Sequence, residues 1–101
     1  MSKIKFNVEH RGEKLAPMFD KYLTTERTAI TMITQEGEQW CHATVNVPDV
    51  SLDDDEVVIK NYSENEGILE ALVQAGYITP TNRTTQVGRV TCRICKLIKD
   101  V

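Results

Sequence analysis

The stretch KNYSENEGILEALVQAG, residues 60–76, carries the most specific local signals in the chain and predicts its single helix. Within Ser63-Glu64-Asn65-Glu66, the hydroxyl of Ser63 and the carboxylate of Glu66 are spaced to satisfy each other's backbone amides, as in a capping box. An apolar stripe follows at helical spacing, formed by Ile68, Leu69, Leu72 and Val73. Gly76 suits the left-handed position that ends a helix. We therefore expect a helix over about residues 64–75.

Gly67 is unexpected in the first turns of that helix, because glycine in a helix interior costs about 1 kcal/mol relative to alanine. One explanation is that another backbone segment approaches too closely for a Cβ atom. The other is that a ligand or partner contacts the helix start, where free amides point outward and Asn65 offers further hydrogen bonds. Glu64 and Glu66 would repel an anionic ligand there, so packing is the favoured explanation.

Strands are predicted on both sides of the helix by the alternation of polar and apolar residues. KIKFNVE (residues 3–9) alternates in this way, and RTAITMITQ (27–35) and QWCHATVNV (39–47) flank a hairpin turn at Glu36-Gly37-Glu38. KLAPMFDKYL (14–23) favours an irregular strand, since Pro17 fits either an edge strand or a helix start.

Shorter strands are predicted beside the helix, VVIK (57–60) before it and YIT (77–79) after it. Thr79-Pro80-Thr81-Asn82 is expected to break the second, and Gly88 to begin a last strand, RVTCRICKLI (89–98). The expected fold is one α+β domain spanning residues 1–101. Its mainly antiparallel sheet has about five strands, and one helix packs on it.

Composition is that of an ordinary folded protein, with 101 residues, 41% hydrophobic and 27% charged. No apolar run approaches the roughly 20 residues that a membrane helix requires, and the first residues lack the apolar core of a signal peptide. We therefore expect a cytoplasmic protein without a membrane association. The odd number of cysteines, three, then predicts reduced thiols.

Residues that could carry catalysis or bind a metal form no recognisable motif. Cys92 and Cys95 match C-x-x-C, with Cys41 available, but residues three apart on a strand project from opposite faces and cannot share a zinc ion. Neither His10 nor His42 lies in a nucleophile motif. The expectation is a protein without enzymatic activity, metal or cofactor, in which the cysteines are buried.

Charge is distributed unevenly along the chain. Eight acidic residues crowd the middle: Asp49, Asp53, Asp54, Asp55, Glu56, Glu64, Glu66 and Glu70. The last fifth is basic, with Arg83, Arg89, Arg93, Lys96 and Lys99 against Asp100. The net charge of −3 opposes binding to duplex nucleic acid. Such asymmetry either marks a polar interface or reflects two solvated regions that neutralise each other.

Three segments together resemble a family of short bacterial proteins of unknown function carried by conjugative elements and phages. They are ATVNVP (43–48), VVIKNYSENEGILEALVQAG (57–76) and GRVTCRICKL (88–97), with Glu64-Asn65-Glu66-Gly67 as the specific core. The resemblance implies a small accessory protein of a mobile element. Many such proteins bind host factors or defence-signal molecules, and the family supplies no catalytic residues.

Two binding hypotheses follow from these observations. The first is a protein partner, a host or defence factor with a basic surface, held by Asp53, Asp54, Asp55, Glu64, Asn65 and Gly67. The second is a small anionic, nucleotide-like ligand held by Arg83, Arg89 and Arg93, between adjoining subunits of a homo-oligomer if one forms. The sequence leaves the oligomeric state open.

Overall fold

The computed structural model describes residues 4–98 and consists of two antiparallel sheets and one α-helix. Its elements are β1 Val8–His10, β2 Glu13–Lys21, β3 Thr28–Ile33, β4 Gln39–His42, β5 Glu56–Val58, a 3₁₀ turn Ser63–Asn65, α1 Ile68–Gln74, β6 Ile78–Val87 and β7 Val90–Leu97. Lys3, Lys99 and Asp100 lie outside the described residues. Within the described part of the chain, no helix is long and apolar enough to cross a membrane.

The first sheet has the order β1-β2-β3-β4. The hairpin between β3 and β4 is the one predicted: the Thr34 amide donates to the Glu38 carbonyl (2.8 Å), and Gly37 adopts a positive φ of 89°. β2 confirms the irregular strand expected for residues 14–23. β1 pairs only with Glu13–Leu15, so Pro17 lies where the edge of β2 is free.

The second sheet has the order β5-β7-β6, and β7 carries buried residues on each of its two faces. One face packs in the main core, where Cys95 and Val57 meet Ile68 and Leu72 of α1. The opposite face carries a smaller cluster of Val58, Cys92 and Ile94. The segment after β4 joins the two sheets, because Thr44 forms a bridge with Ile59 and the Lys60 amide donates to the Ala43 carbonyl (2.8 Å).

The structure confirms the α+β single-domain class but distributes the strands differently from the expectation of about five in one sheet. Among residues 4–98, seven strands form two sheets, and the segment after β4 is linked to the end of β5 by an isolated bridge instead of a continuous ladder. Of the described residues in the strand predicted at 3–9, residues 4–7 lie outside any strand and β1 begins at Val8. Contrary to the expectation, residues 79–82 do not end the strand. β6 continues through them to Val87, and the pairing with β7 shifts register between Pro80 and Thr84.

The helix begins later than predicted and is capped by a different residue. Ser63–Asn65 is a 3₁₀ turn, and α1 starts only after Gly67, so the predicted capping box of Ser63 and Glu66 does not form. Instead the side-chain oxygen of Asn61 accepts from the amides of Gly67 (3.1 Å) and Leu69 (2.9 Å). Asn61 thereby satisfies two of the amides that a helix start leaves unpaired.

The helix ends as predicted, in a Schellman motif around Gly76. Gly76 has a φ of 89°; its amide donates to the Val73 carbonyl (3.0 Å), and the Tyr77 amide donates to the Leu72 carbonyl (3.0 Å). The chain then turns directly into β6. This placement brings Tyr77 beside the acidic loop described below.

Candidate functional site

The acidic loop, residues 51–56, is held in place by one buried carboxylate. The Glu56 side chain is 4% exposed, and its Oε1 accepts from Arg83 Nη1 (2.8 Å) and from the Asp53 amide (2.9 Å). Arg83 Nη2 also donates to the Ser51 carbonyl. One guanidinium therefore fixes both ends of the loop and neutralises its buried charge.

Two further loop acids approach Lys96 on β7. The Lys96 ammonium lies 3.3 Å from Asp55 Oδ1 and 3.9 Å from Asp53 Oδ2. Its hydrogen bond to Asp55, together with the negative charge of that carboxylate, raises the pKa of Lys96. Asp53 remains 73% exposed, and the structure shows no ion pair for Asp54 among the described residues. Asp53 and Asp54 are thus exposed, whereas the partly exposed Asp55 is engaged by Lys96.

Two neighbouring grooves share Thr28 and Asp54, and Asp54 therefore lies between them. The larger, of about 460 Å³, is mainly apolar and is hereafter the Phe19 groove; it is lined by Phe19, Thr28, Asp54, Asp55, Tyr77, Leu97 and Ile98. The smaller, of about 400 Å³, is polar and is lined by Lys21, Thr25, Glu26, Arg27, Thr28, Leu52, Asp53 and Asp54. The exposed acids of the loop therefore border a concave surface.

The helix start, which was predicted to join the acidic loop in one partner site, lies at the other end of β5. Lys60 follows Asp55 by five positions, roughly 16 Å of extended chain. Glu64 is exposed and pairs with Lys60 (3.0 Å), and the hydrogen bond from Lys60 lowers the pKa of the Glu64 carboxyl. The predicted partner-binding residues thus divide into two separate surfaces.

Asn65 belongs to the interior of the protein. Its side chain is fully buried, and its Nδ2 donates to the His42 carbonyl at 2.6 Å, which ties the 3₁₀ turn to the end of β4. Asn65 Oδ1 is buried without a hydrogen-bond partner. The side chain therefore cannot contact a partner in this conformation, although the sequence predicted that it would.

A buried histidine also anchors the helix start. His10 is 4% exposed; Trp40 Nε1 donates to its Nδ1 (3.0 Å), and its Nε2 lies 2.8 Å from the Glu66 carbonyl. Because an indole nitrogen can only donate, Nδ1 of His10 is the acceptor. The hydrogen of the neutral imidazole is therefore on Nε2, which donates to the Glu66 carbonyl. Both nitrogens of His10 are therefore used in joining β1 to β4 and to the helix start.

Gly67 is explained by its backbone rather than by a close approach of another segment. It is the N-cap of α1 with φ 97°, a conformation that L side chains rarely adopt. A Cβ there would lie 3.6 Å from His10 Cδ2, an ordinary contact. The expectation of a helix-interior glycine was wrong because α1 begins at Ile68, directly after Gly67.

Replacing Gly67 with alanine is expected to cost about 1–2 kcal/mol of unfolding free energy, the penalty of left-handed backbone for an L residue. Gly76→Ala is a matched control, because Gly76 has φ 89° with nothing within 4 Å of an added Cβ. Urea unfolding of both variants should give similar losses. A loss at Gly67 several times that at Gly76 would show that its cost comes from packing against His10.

The three arginines of the alternative hypothesis do not converge within one chain. Arg83 forms an ion pair with Glu56. Glu56 lies opposite Lys96 in the register of β5 and β7, so their side chains share one face of the sheet. Lys96 and Arg93 are three residues apart on β7 and therefore point to opposite faces. Arg89 lies in the turn between β6 and β7. A ligand site built from all three within one chain is therefore ruled out by the geometry.

Arg93 does line a separate cleft of about 300 Å³, between the start of α1 and the β6–β7 hairpin. Tyr62, Thr84 and Thr91 line the same cleft, and so does the acidic residue Glu70. Arg93 Nη1 donates to the Thr81 carbonyl at 3.3 Å. Its remaining donors are available to an anion.

Cys92 and Cys95 lie on opposite faces of β7, as the strand spacing predicted, and all three cysteines are buried. Across residues 4–98, no group of three or more His, Cys, Asp or Glu side chains is arranged to hold a metal ion. Burial raises the pKa of Cys41 and of Cys95 to about 11, with the Glu64 charge adding to the effect at Cys41. These thiols are therefore protonated near neutral pH.

We expect the folded protein at pH 8 to react with an aromatic disulfide reagent about 100-fold more slowly at Cys41 and Cys95 than the unfolded chain does. Fast labelling of the folded protein would contradict the burial of these thiols.

The same thiols should make the stability of the protein depend on pH. Because the folded pKa values exceed the unfolded ones, these thiols stabilise the fold fully below pH 9, and that contribution is lost as the pH rises towards 11. The urea midpoint should therefore fall from pH 9 upward, and less steeply in a Cys41→Ala/Cys95→Ala variant.

Comparison of the chain with protein-family models, with curated proteins and with solved structures finds no match. The resemblance of its central and C-terminal segments to short proteins of mobile elements stays a prediction. The choice of a binding site therefore rests on the surfaces described above.

Proposed function

We propose that this chain is a small non-enzymatic binding protein that holds a protein partner through its acidic loop. The observation that carries the proposal is the combination of a fixed loop with exposed charge: Arg83 and Glu56 hold the backbone, while Asp53 and Asp54 project beside two grooves. The partner would present a basic surface. Following the sequence resemblance, we propose further that it is a host or defence protein and that this chain is an accessory factor of a phage or mobile element.

Fixing the loop before binding favours a stoichiometric binder, since a loop already in its bound conformation loses little entropy on association. Exposed carboxylates would also accelerate the encounter with a basic partner and discriminate against acidic ones. The helix start, with Glu64 paired to Lys60, offers less free charge and lies on another surface. The acidic loop is therefore the proposed contact, without the helix start.

The proposal is tested by affinity capture from bacterial lysate with wild-type protein and an Asp53→Asn/Asp54→Asn variant. The matched control is Glu36→Gln/Glu38→Gln, which removes the same charge from exposed positions in the β3–β4 turn. A protein captured by wild type and control, and lost with the loop variant, supports the proposal. Equal capture by all three forms, or no specific capture, contradicts it.

A second candidate function is favoured by the Arg93 cleft, whose volume and hydroxyl groups fit a small anionic ligand. Native mass spectrometry of gently purified protein would detect a retained nucleotide-sized mass and report the number of subunits. An adduct that is present in the wild-type protein, disappears in Arg93→Met and persists in Arg89→Met supports this function. Wild-type protein without an adduct would leave protein binding as the function of the chain.

A further inference from the structure

The Phe19 groove presents an aromatic pair to solvent at the junction of the two sheets. The ring of Phe19 is 52% exposed and lies 6.2 Å from the ring of Tyr77, at an interplanar angle of 49°. The Tyr77 hydroxyl donates to Asn7 Oδ1 (2.8 Å), which fixes the orientation of its ring. Leu97 and Ile98 complete the apolar surface. The groove is thus a preformed apolar recess.

Acidic groups border this recess on one side. Asp55 forms an ion pair with Lys96, but Asp54 lines the groove and has no ion pair among the described residues. An apolar recess beside a free carboxylate complements a ligand in which an apolar side chain adjoins a cation. A uniformly apolar or an acidic ligand would leave Asp54 desolvated without a partner.

We propose that the Phe19 groove binds a segment of the protein partner in which a bulky apolar residue is followed by arginine or lysine. The apolar side chain packs against Phe19 and Tyr77, and the cation pairs with Asp54. This inference rests on the proposed function and names the segment that the partner would insert.

The segment enters by its side chains and does not extend the sheet. The Tyr22 amide donates to the Arg27 carbonyl (2.9 Å), so the backbone groups of Tyr22 face β3 and those of Pro17, Phe19 and Lys21 face outward. Pro17 has no amide hydrogen, and the Lys21 amide donates to Asp20 Oδ1 (2.8 Å). Two of the three outward positions therefore lack a free amide, which blocks the addition of a strand.

The test is a nuclear magnetic resonance titration of ¹⁵N-labelled protein with the blocked dipeptide acetyl-Phe-Arg-amide. Shifts confined to the residues that line the groove are expected, namely Phe19, Thr28, Asp54, Asp55, Tyr77, Leu97 and Ile98. Acetyl-Phe-Glu-amide and acetyl-Ala-Arg-amide should shift these signals much less at the same concentration. Asp54→Asn should weaken the binding of acetyl-Phe-Arg-amide about two- to fivefold, the range of an exposed ion pair, and Phe19→Ser should abolish it.

Absence of localised shifts, or equal shifts with acetyl-Phe-Glu-amide, would overturn the inference. Because Phe19 is half exposed, the Phe19→Ser variant should remain folded. Amide signals of this variant that match those of the wild type away from the groove would show that it is folded. The outcome is separable from that of the capture experiment. Capture that depends on the loop without dipeptide binding would retain the proposed function and overturn the groove alone. Dipeptide binding without loop-dependent capture would overturn the proposed function itself.

Discussion

Replacing Arg83 with methionine is expected to lower the free energy of unfolding by about 2 kcal/mol. Removing one member of a buried ion pair costs about 3–5 kcal/mol, because the remaining charge stays buried without a partner. Glu56 is 4% exposed, but the Arg83 side chain is 47% exposed, so water compensates part of the loss. The same substitution frees the Ser51 end of the acidic loop, and we expect it to weaken partner capture as well.

Urea unfolding followed by circular dichroism measures this effect. Arg89→Met is the matched control, since Arg89 lies exposed in the β6–β7 turn and its loss should change the unfolding free energy by less than about 0.5 kcal/mol. In the double variant Glu56→Gln/Arg83→Met, the cost should be less than the sum of the single costs. Additive costs would show that the pair does not act as a unit.

Replacing His10 with alanine is expected to cost about 3 kcal/mol of unfolding free energy. The change empties a fully packed site between β1 and α1 and removes the hydrogen bonds to Trp40 and to the Glu66 carbonyl. Since Trp40 is the only tryptophan, its fluorescence should also change in the folded state.

His42→Ala provides the control for this prediction. His42 is exposed, and its ring contacts Thr31 and Gln39 at the surface of the first sheet. Its replacement should cost less than about 0.5 kcal/mol. Equal losses for the two histidine variants in urea unfolding would contradict the assignment of His10 as the anchor of the helix start.

The features that local chemistry determines could be predicted from the sequence. The β3–β4 hairpin follows from a glycine turn between two β-branched runs, and the helix end follows from Gly76 after an apolar stripe. The opposite projection of Cys92 and Cys95 follows from strand geometry alone. In each case residues near in sequence decide the structure.

The helix start could not be predicted because a distant residue and a cap outside the expected motif determine it. Ser63 and Glu66 have the spacing of a capping box, but Asn61 caps the helix and His10 holds the Glu66 carbonyl, 56 positions away. Gly67 adopts a left-handed conformation between these contacts, and α1 begins only after it. The expected motif was therefore overridden by a competing local cap and a long-range hydrogen bond.

The grouping of functional residues was also beyond local reasoning. The acids at residues 53–55 and 64 are close in sequence, yet β5 separates them, while Arg83 meets Glu56 through the β5-β7-β6 sheet order. Phe19 was missed altogether. The one available signal was the apolar run from Leu15 to Phe19, which is longer than one buried face of a strand can accommodate and therefore predicts an exposed apolar residue.

Photocrosslinking in bacterial cells tests the central claim of binding through the acidic loop and its groove most directly. p-Benzoylphenylalanine is placed at Phe19 in one variant and at Val73 in another; Val73 is an exposed apolar position on α1. The account predicts a discrete adduct of one partner mass at Phe19 and none at Val73, with loss of the adduct when Asp53→Asn/Asp54→Asn is added. No adduct at Phe19, or an adduct unaffected by the loop substitutions, would contradict it.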